Sequence, residues 1–298
     1  MLYYIKKLVN IIIIKVPFAD LLFITIRKYL NIIDDFLRKL LNKKPIIYNL
    51  SVHVTDHCNL NCTGCGHFCN LVKNKVFLDI EQYKKDLYRM AEMFDNIHSF
   101  NLIGGEPLLH DKLHLIIQIT REVFPKTKIS ILSNGLLYKQ LSHETLSIIK
   151  AHNVIMRITL YNPMIKHKEE IINYFSSYGI KFYISKPVEK FIKYFSLEGN
   201  NDKNKSFRKC IRARCTFLWN GYISPCELPS LIKYFNEHFN TEVNMEKSHF
   251  NIHDLSYDGF RLKKELFKPL EACRYCDELV FFDWSIGKEP KIEDFCVL

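Results

Sequence analysis

The sequence predicts an α/β protein built on a parallel β-sheet, and two observations lead to this fold class. First, residues 50–185 alternate between short apolar runs typical of strands and longer amphipathic segments typical of helices. Second, helices of this length between strands are typical of parallel βαβ units. The 298 residues, 48% of them hydrophobic, are enough for one large core or two modest ones.

The predicted elements follow one another regularly. The first strand is expected at 50–55, and the first helix at 80–94, opened by Asp79 and Gln82 in capping-box spacing. The pattern then predicts strands at 99–103, 128–132, 154–160 and 181–185, and helices at 113–123, after Ser142 and at 168–177. Loops at the carboxyl ends of parallel strands build the functional site in such folds, which directs attention to the segment after residue 55.

Residues 1–48 are predicted to form a separate helical extension, rich in Leu, Ile and Lys. An apolar face alternates with a charged one at helical spacing: Leu22, Ile26, Leu30, Ile33, Leu37 and Leu40 lie opposite Arg27, Lys28, Asp34 and Arg38. The run 8–26 is interrupted by Lys15, Pro17 and Asp20, so it falls short of the ~20 apolar residues of a spanning helix. Two interpretations stay open: the helix packs on the protein's own body, or it lies on a membrane surface.

Residues 49–198 are predicted to be the main α/β domain, and residues 199–298 a second module. The polar stretch 199–206 indicates a linker between them, and six of the ten cysteines follow it. Residues 217–224, around Gly221, have the pattern of a hairpin.

Charge and cysteine usage limit the class of protein. The 42 basic and 32 acidic side chains give a net charge of +10, which favours anionic partners such as phosphorylated sugars, nucleotides or acidic lipid headgroups. No Arg-rich stripe interleaved with aromatic residues occurs, so we do not expect a nucleic-acid-binding protein. Ten cysteines with metal-ligand spacing and no cleavable signal pattern indicate thiolates in a reducing compartment. The sequence therefore predicts a cytoplasmic location, peripheral at the inner membrane surface if the N-terminal helix is an anchor.

Three cysteines directly after the first strand carry the most specific signal. Cys58, Cys62 and Cys65 lie in the run His-Cys-Asn-Leu-Asn-Cys-Thr-Gly-Cys. Three thiolates leave one iron of a four-iron cluster open, and that iron can chelate a small molecule and pass it an electron. Zinc sites more often pair two cysteines with distant ligands, and a zinc site completed by His57 or His67 is the alternative from these residues alone.

Taken with Gly104-Gly105-Glu106-Pro107 after the second strand, the cysteine run resembles that of the radical S-adenosylmethionine (SAM) enzymes. The resemblance implies a [4Fe–4S] cluster on the three cysteines and SAM bound at its open iron. It also implies that the Gly-Gly-Glu loop receives the methionyl amino group. Glycines allow close approach of the backbone, and Glu106 accepts hydrogen bonds from such a group.

Further positions match the SAM contacts of that family. Ser133 and Asn134, followed by Gly135, resemble the turn near the SAM ribose, and Thr159 matches a second hydroxyl position. Arg157 points the same way as Thr159 by strand alternation and faces either the methionyl carboxylate or a structural salt-bridge partner.

One position departs from the family pattern. Many relatives carry an aromatic residue directly before the third cysteine, where it flanks adenine, and this chain has Gly64 there. Phe68 and His67 are the nearby side chains that the sequence offers as replacements.

The C-terminal cysteines resemble the twitch form of the SPASM extension, which holds one auxiliary [4Fe–4S] cluster. The matching residues are Cys210, Cys226, Cys273 and Cys276, and Cys215 lies close enough in sequence to take the place of Cys210. A zinc ribbon built from the same residues is the alternative. The resemblance covers about residues 50–298, and it implies a partial (β/α)6 TIM-like barrel followed by a small α+β Cys-rich domain.

Cys69 and Cys296 belong to neither set of ligands. A free cysteine is most often a small buried residue, and the functional alternative is that one of them donates a hydrogen atom to a substrate radical. Tyr138 and Tyr161, near strand ends, are weaker candidates for substrate contact.

The resemblance implies reductive cleavage of SAM to a 5′-deoxyadenosyl radical, which abstracts hydrogen from an unactivated C–H bond. The leading hypothesis is oxidation of a secondary alcohol on a sugar or cyclitol, nucleotide-linked or lipid-linked, with the auxiliary cluster accepting the second electron. A flavodoxin or ferredoxin is the expected reductant. The alternatives are a sugar epimerase with a cysteine hydrogen donor, a peptide-modifying maturase, and a non-enzymatic iron–sulfur or zinc protein.

Overall fold

An eight-stranded sheet lies at the centre of the computed structural model, which describes residues 32–212, 215–287 and 289–297. The strands of these residues are β1 (Ile46–His53), β2 (Asn96–Ile103), β3 (Lys128–Ser133), β4 (Ile155–Ile158), β5 (Phe182–Ile184), β6 (Lys190–Phe195), β7 (Phe217–Trp219), β8 (Tyr222–Ser224), β9 (Phe250–Asn251) and β10 (Cys276–Asp283). The sheet order is β5-β4-β3-β2-β1-β7-β8-β9, and the strands from β5 to β7 are parallel. This confirms the predicted α/β class with a parallel sheet of the partial-barrel type, and β7 provides its sixth parallel strand.

Helices connect the parallel strands at the positions that the sequence pattern predicts. The helices are α1 (Ile80–Met93), α2 (Leu113–Val123), α3 (His143–Ala151), α4 (Asn162–Ile165), α5 (Lys168–Ser177), α6 (Lys203–Lys209), α7 (Leu228–Phe239), α8 (Gly259–Leu266) and α9 (Ile292–Phe295). Helix α1 begins at Asp79, whose carboxylate accepts from the Gln82 N–H (2.8 Å). The Gln82 side chain donates to Asp86 (2.7 Å) instead of returning to Asp79, so only half of the expected capping box forms.

The two faces of the sheet differ in polarity. Phe100 and Leu102 of β2 are fully buried in the apolar core that α1, α2 and α3 cover. On the opposite, concave face the register aligns Ser51 with Asn101 and Asn101 with Ser130. All three of these side chains are buried, so the concave side of the partial barrel presents a row of polar groups.

The C-terminal residues contribute to both sheets. Strands β7 and β8 form the predicted antiparallel hairpin, and β9 extends it. Strand β10 pairs antiparallel with β6 in a separate ribbon. The linker expected at 199–206 is wrong in part, because α6 begins there: the Asp202 carboxylate caps it by accepting from the N–H groups of Asn204 (2.8 Å) and Lys205 (3.1 Å). The domain boundaries at 48/49 and 198/199 stay a prediction.

The N-terminal helix is present over residues 32–40, and its apolar side does not pack on the described part of the protein. Its charged side faces the protein: Arg38 pairs with Asp95 (3.1 Å), and Lys263 donates to Asp35 (2.6 Å). The apolar side chains are 42–65% exposed, namely Ile32, Ile33, Phe36, Leu37 and Leu40. The predicted helical segment ahead of residue 32 lies outside the described residues. Within the part that the structure describes, no helix has the length and apolar character needed to cross a membrane.

Candidate active site and second cysteine site

The loop that carries Cys58, Cys62 and Cys65 leaves β1 and lies directly against the Gly-Gly-Glu loop, which leaves β2. The Gly105 N–H donates to the Thr55 carbonyl (2.7 Å), and the Glu106 N–H donates to the His57 carbonyl (2.9 Å). A Cβ atom on Gly104 would lie 2.5 Å from the Thr55 carbonyl oxygen, and one on Gly105 would lie 2.1 Å from the His57 carbonyl oxygen. Only glycine permits this approach of two backbones.

Glu106 connects the second loop to the third. Its carboxylate is fully buried and accepts from the Leu108 N–H (3.1 Å) and the Asn134 N–H (2.8 Å). The Asn134 amide in turn donates to Asn59 (2.8 Å) and to the Cys58 sulfur (3.6 Å). Loops from the carboxyl ends of β1, β2 and β3 therefore meet around the first cysteine.

The carboxyl group of Glu106 is expected to make stability depend on pH. Burial raises its pKa to about 7, above its ordinary value, so the folded chain holds this proton more tightly than the unfolded chain does. The resulting stabilisation is complete below the unfolded pKa and is lost as pH rises through about 7. In Glu106→Gln the side chain is neutral at every pH. The free energy of unfolding should therefore fall less between about pH 5 and about pH 8 in the variant than in the wild type, by at most about 3 kcal/mol. Urea unfolding of the metal-free, reduced proteins measures this difference, and parallel pH profiles would contradict it.

Hydrogen-bond donors surround the cysteine sulfurs of the first loop. The Leu60 N–H donates to the Cys58 sulfur (3.4 Å), and the Trp284 indole N–H donates to the Cys62 sulfur (3.3 Å). Burial raises the pKa of the Cys58 and Cys62 thiols to about 12, so without metal these sulfurs keep their protons. Donors aimed at sulfur stabilise the thiolates once a metal takes the place of those protons.

The three cysteine thiols of this loop match the donor set of a four-iron cluster, which takes three protein thiolates when one iron is left open. A zinc site would need a fourth ligand beside them. Among the described residues no group of three or more His, Cys, Asp and Glu side chains is arranged around a single metal position.

The two unassigned cysteines are both buried. The Cys69 thiol donates to the His67 carbonyl (3.7 Å), and its interaction with Cys65 lowers the pKa of the Cys65 thiol to about 6. Cys296 is fully buried in the cluster of Phe195, Phe235 and Phe295. Cys69 thus lies against a predicted ligand, and Cys296 lies in an apolar core.

The remaining predicted SAM contacts lie at the carboxyl end of β4. Arg157 is exposed on the concave side and Thr159 is half-buried, with its N–H donating to the Ser133 carbonyl (2.9 Å). Tyr161 stacks on Trp284 with ring centroids 5.3 Å apart. Tyr138 instead packs edge-on against Tyr174 in the core, away from the cysteine loop.

An aromatic side chain of β10 lies against the position before Cys65, where the family's aromatic residue is missing. Gly64 has a positive φ of 63°, and a Cβ atom there would lie 2.6 Å from the Phe282 ring. Of the side chains that the sequence offers, Phe68 packs on Phe235 in the core and His67 stacks on the buried His53. No spacing signal marks Phe282, which lies more than two hundred positions from Gly64.

The second cysteine site forms where α6, the β8–α7 turn and the start of β10 meet. Cys210, Cys226, Cys273 and Cys276 line one cavity together with apolar side chains. Burial raises the pKa of the Cys226 thiol to about 12. Burial also raises the pKa of the Cys273 thiol. Cys215 is not among the residues that line this cavity, so the arrangement favours Cys210 as the fourth ligand.

Two single substitutions separate these candidates. Cys210→Ala is expected to remove about four irons from the fully loaded chain, because it deletes a ligand that faces the cavity. Cys215→Ala should retain them. Iron and sulfide analysis after anaerobic reconstitution decides between the two, and the reverse pattern would assign the site to Cys215.

Comparisons with known proteins point to the same region of the chain. Residues 52–185 match the model of the family described as the Radical SAM superfamily. A curated relative, GTP 3',8-cyclase of Aquifex aeolicus (strain VF5), is 32% identical over 97 residues, which cover 30% of this chain and 29% of that protein. The match therefore spans about three tenths of the relative's length.

Solved structures resemble the larger part of the chain. Native anSMEcpe with bound AdoMet has a TM-score of 0.52 at 14% identity, covering 78% of this chain and 83% of that one. BtrN in complex with AdoMet and 2-DOIA has a TM-score of 0.48 at 14% identity, covering 79% and 94%. At 14% identity, the likeness to the first of these structures is one of fold.

Proposed function

The chain belongs to the radical SAM superfamily, and on this premise we propose that it cleaves SAM reductively and oxidises a secondary alcohol of a sugar or cyclitol. The observation that carries the SAM chemistry is the meeting of three loops around Cys58. The cysteine loop, the Gly-Gly-Glu loop and the Ser-Asn-Gly loop are joined by hydrogen bonds between backbone and side chains at the carboxyl ends of β1, β2 and β3.

In this proposal Cys58, Cys62 and Cys65 hold a [4Fe–4S] cluster, which when reduced supplies the electron that cleaves SAM to methionine and a 5′-deoxyadenosyl radical. The chain's own residues fix the geometry. The glycines at 104 and 105 let the cysteine loop lie directly against the Gly-Gly-Glu loop, and in this proposal the Glu106 carboxylate is the acceptor for the methionyl amine. The tight packing of the loops excludes water and competing hydrogen donors.

The second cysteine site supports oxidation over epimerisation. Removal of a hydrogen atom from the carbinol carbon gives 5′-deoxyadenosine and a substrate radical. Loss of the hydroxyl proton and one further electron from that radical gives the ketone, so an acceptor for this electron is needed. A [4Fe–4S] cluster on Cys210, Cys226, Cys273 and Cys276 would be that acceptor. An epimerase needs a hydrogen donor facing the substrate, and both spare cysteines are buried, Cys69 beside Cys65 and Cys296 in an apolar core.

The concave face of the sheet supports a hydroxylated substrate. Ser51, Asn101 and Ser130 present polar groups in one row, and Asn101 has a buried side-chain oxygen without a hydrogen-bond partner among the described residues. A polyol can satisfy such groups, whereas an apolar ligand would leave them unpaired. The net charge of +10 favours a substrate that carries phosphate, as in a nucleotide-linked or lipid-linked sugar.

The function is tested with candidate sugars and cyclitols in deuterated buffer, with the chemical reductant dithionite or a flavodoxin or ferredoxin. Oxidation predicts 5′-deoxyadenosine and a product lighter by two hydrogens, in equal amounts. Solvent deuterium at one carbon, without loss of hydrogen, would establish the epimerase instead. Turnover of a peptide alone would favour the maturase, and the absence of SAM binding would favour a non-enzymatic iron–sulfur or zinc protein.

We also propose that the helix at residues 32–40 contacts an anionic membrane surface. Its acidic side chains are turned inward, with Asp34 accepting from Tyr48 (2.9 Å) and Asp35 accepting from Lys263, while the apolar side chains face outward. Lys39 and Lys43 are exposed on or beside this face. An apolar face flanked by cations and freed of acidic groups is complementary to acidic lipid headgroups.

The double variant Phe36→Glu/Leu40→Glu is expected to weaken binding to vesicles of phosphatidylcholine and phosphatidylglycerol by about tenfold or more, because it removes two large apolar contacts. Leu255→Glu is the control, since Leu255 is an 86% exposed apolar side chain outside this helix. Cosedimentation measures the binding. Equal binding of wild type and double variant would contradict the proposal, and a dimer lost in the double variant would assign the face to a second copy.

A further inference from the structure

The segment after β10 pairs with the cysteine loop as a short antiparallel strand. The Thr63 N–H donates to the Ser285 carbonyl (2.8 Å), and the Gly287 N–H donates to the Asn61 carbonyl (3.1 Å). Cys62 lies between these bonds and forms an isolated antiparallel bridge with Ile286. The backbone on both sides of the second predicted ligand is therefore fixed by residues from the far end of the chain.

Trp284 adds a side-chain contact to the same cysteine. Its indole N–H donates to the Cys62 sulfur (3.3 Å), and the side chain is buried in a small cluster with Leu60 and Cys62. Tyr161 stacks on the indole with an interplanar angle of 23°, which fixes the ring plane. The donor is thus oriented by packing and has little freedom to leave the sulfur.

One strand joins the two cysteine sites. Cys276, which lines the second cavity, begins β10, and Trp284 follows directly after its end. Phe282, the aromatic side chain against Gly64, belongs to the same strand. The C-terminal module therefore completes the first site through one continuous segment.

We infer that Trp284 is a positioning residue that sets the reduction potential of the cluster on Cys58, Cys62 and Cys65 by donating a hydrogen bond to the Cys62 sulfur. The inference rests on the proposed function, because it requires that cluster. One-electron reduction adds negative charge that the ligand sulfurs share, and an N–H donor stabilises this charge more in the reduced than in the oxidised state. The bond from Trp284 therefore makes the cluster easier to reduce.

The test is a redox titration of the reconstituted full-length chain followed by electron paramagnetic resonance. The signal of interest is the one missing from the variant in which Cys58, Cys62 and Cys65 are all alanine. In Trp284→Phe the midpoint potential should become more negative, with the equilibrium constant for reduction roughly fivefold lower, as expected for one hydrogen bond. Trp219→Phe is the matched control, because it removes the other of the two tryptophans, whose ring packs on His53 at 4.2 Å.

A second measurement keeps the ring volume constant. In the Trp219→Phe chain, Trp284 is the one remaining tryptophan and can be replaced biosynthetically by 3-benzothienylalanine, which has sulfur in place of the indole N–H. The midpoint potential should become more negative here as well. If Trp284→Phe fails to assemble the cluster, the protein with the analogue tests the role of the indole N–H. Unchanged potentials in both proteins would overturn the role of Trp284. If the wild-type chain shows the same electron paramagnetic resonance signals as the triple cysteine variant, the proposed function is overturned instead.

Discussion

Replacing Cys58, Cys62 and Cys65 together by alanine is expected to remove about four of about eight irons per chain and to abolish 5′-deoxyadenosine formation. The effect is large because all three sulfurs are lost from a single loop, and no other described cysteine except Cys69 lies beside it. Anaerobic reconstitution, iron and sulfide counts, and a dithionite-driven assay with SAM measure both quantities.

The control for this variant is the second cysteine site, which should remain loaded. About four irons should therefore persist in the triple variant, with the spectrum of a cluster that does not change when SAM is added. About four irons plus zinc in the wild-type chain would reduce the second site to a structural one, and the oxidation would lose its electron acceptor. Undiminished 5′-deoxyadenosine in the triple variant would contradict the assignment of the first site.

The sequence predicts the part of the site that depends on local order along the chain. Alternation of strand and helix determines which loops lie at the carboxyl ends of β1 to β4, and parallel pairing brings those ends to one edge. That is why Cys58, Glu106 and Asn134, each named from a separate motif, lie within hydrogen-bond contact of a neighbouring loop. The expected fold class followed from the same alternation.

The sequence does not predict contacts that join distant segments without a spacing signal. Trp284 bonds to Cys62 across 222 positions, and neither residue type nor periodicity marks the pair. The N-terminal helix shows the same limit: its hydrophobic pattern leaves open whether the apolar face packs on the protein or faces outward, and Asp95 and Lys263 attract its charged side to the protein. Ion pairs with partners in other elements decide that orientation, and periodicity contains no information about them.

The substitution Gly105→Ala tests whether the close contact of the first two loops is required. Its Cβ would lie 2.1 Å from the His57 carbonyl oxygen and 2.8 Å from the Cys58 nitrogen, both backbone atoms. Relief of this overlap must displace the cysteine loop, because no flexible side chain can move away. We therefore expect SAM affinity to fall by at least about a hundredfold, with partial loss of iron from the first site.

Gly66→Ala provides the steric control within the same cysteine loop. The three atoms nearest to a Cβ atom there belong to the Arg212 guanidinium, at 3.5 Å or more, which is an ordinary contact with the end of a flexible side chain. Equilibrium binding of SAM to the reconstituted proteins, measured with iron content, should leave Gly66→Ala close to wild type. If Gly105→Ala binds SAM as well as Gly66→Ala does, the backbone contact between the two loops is dispensable. The convergence of loops that carries the proposed function would then need another explanation, because Glu106 could reach its position without the close approach of Gly105 to His57.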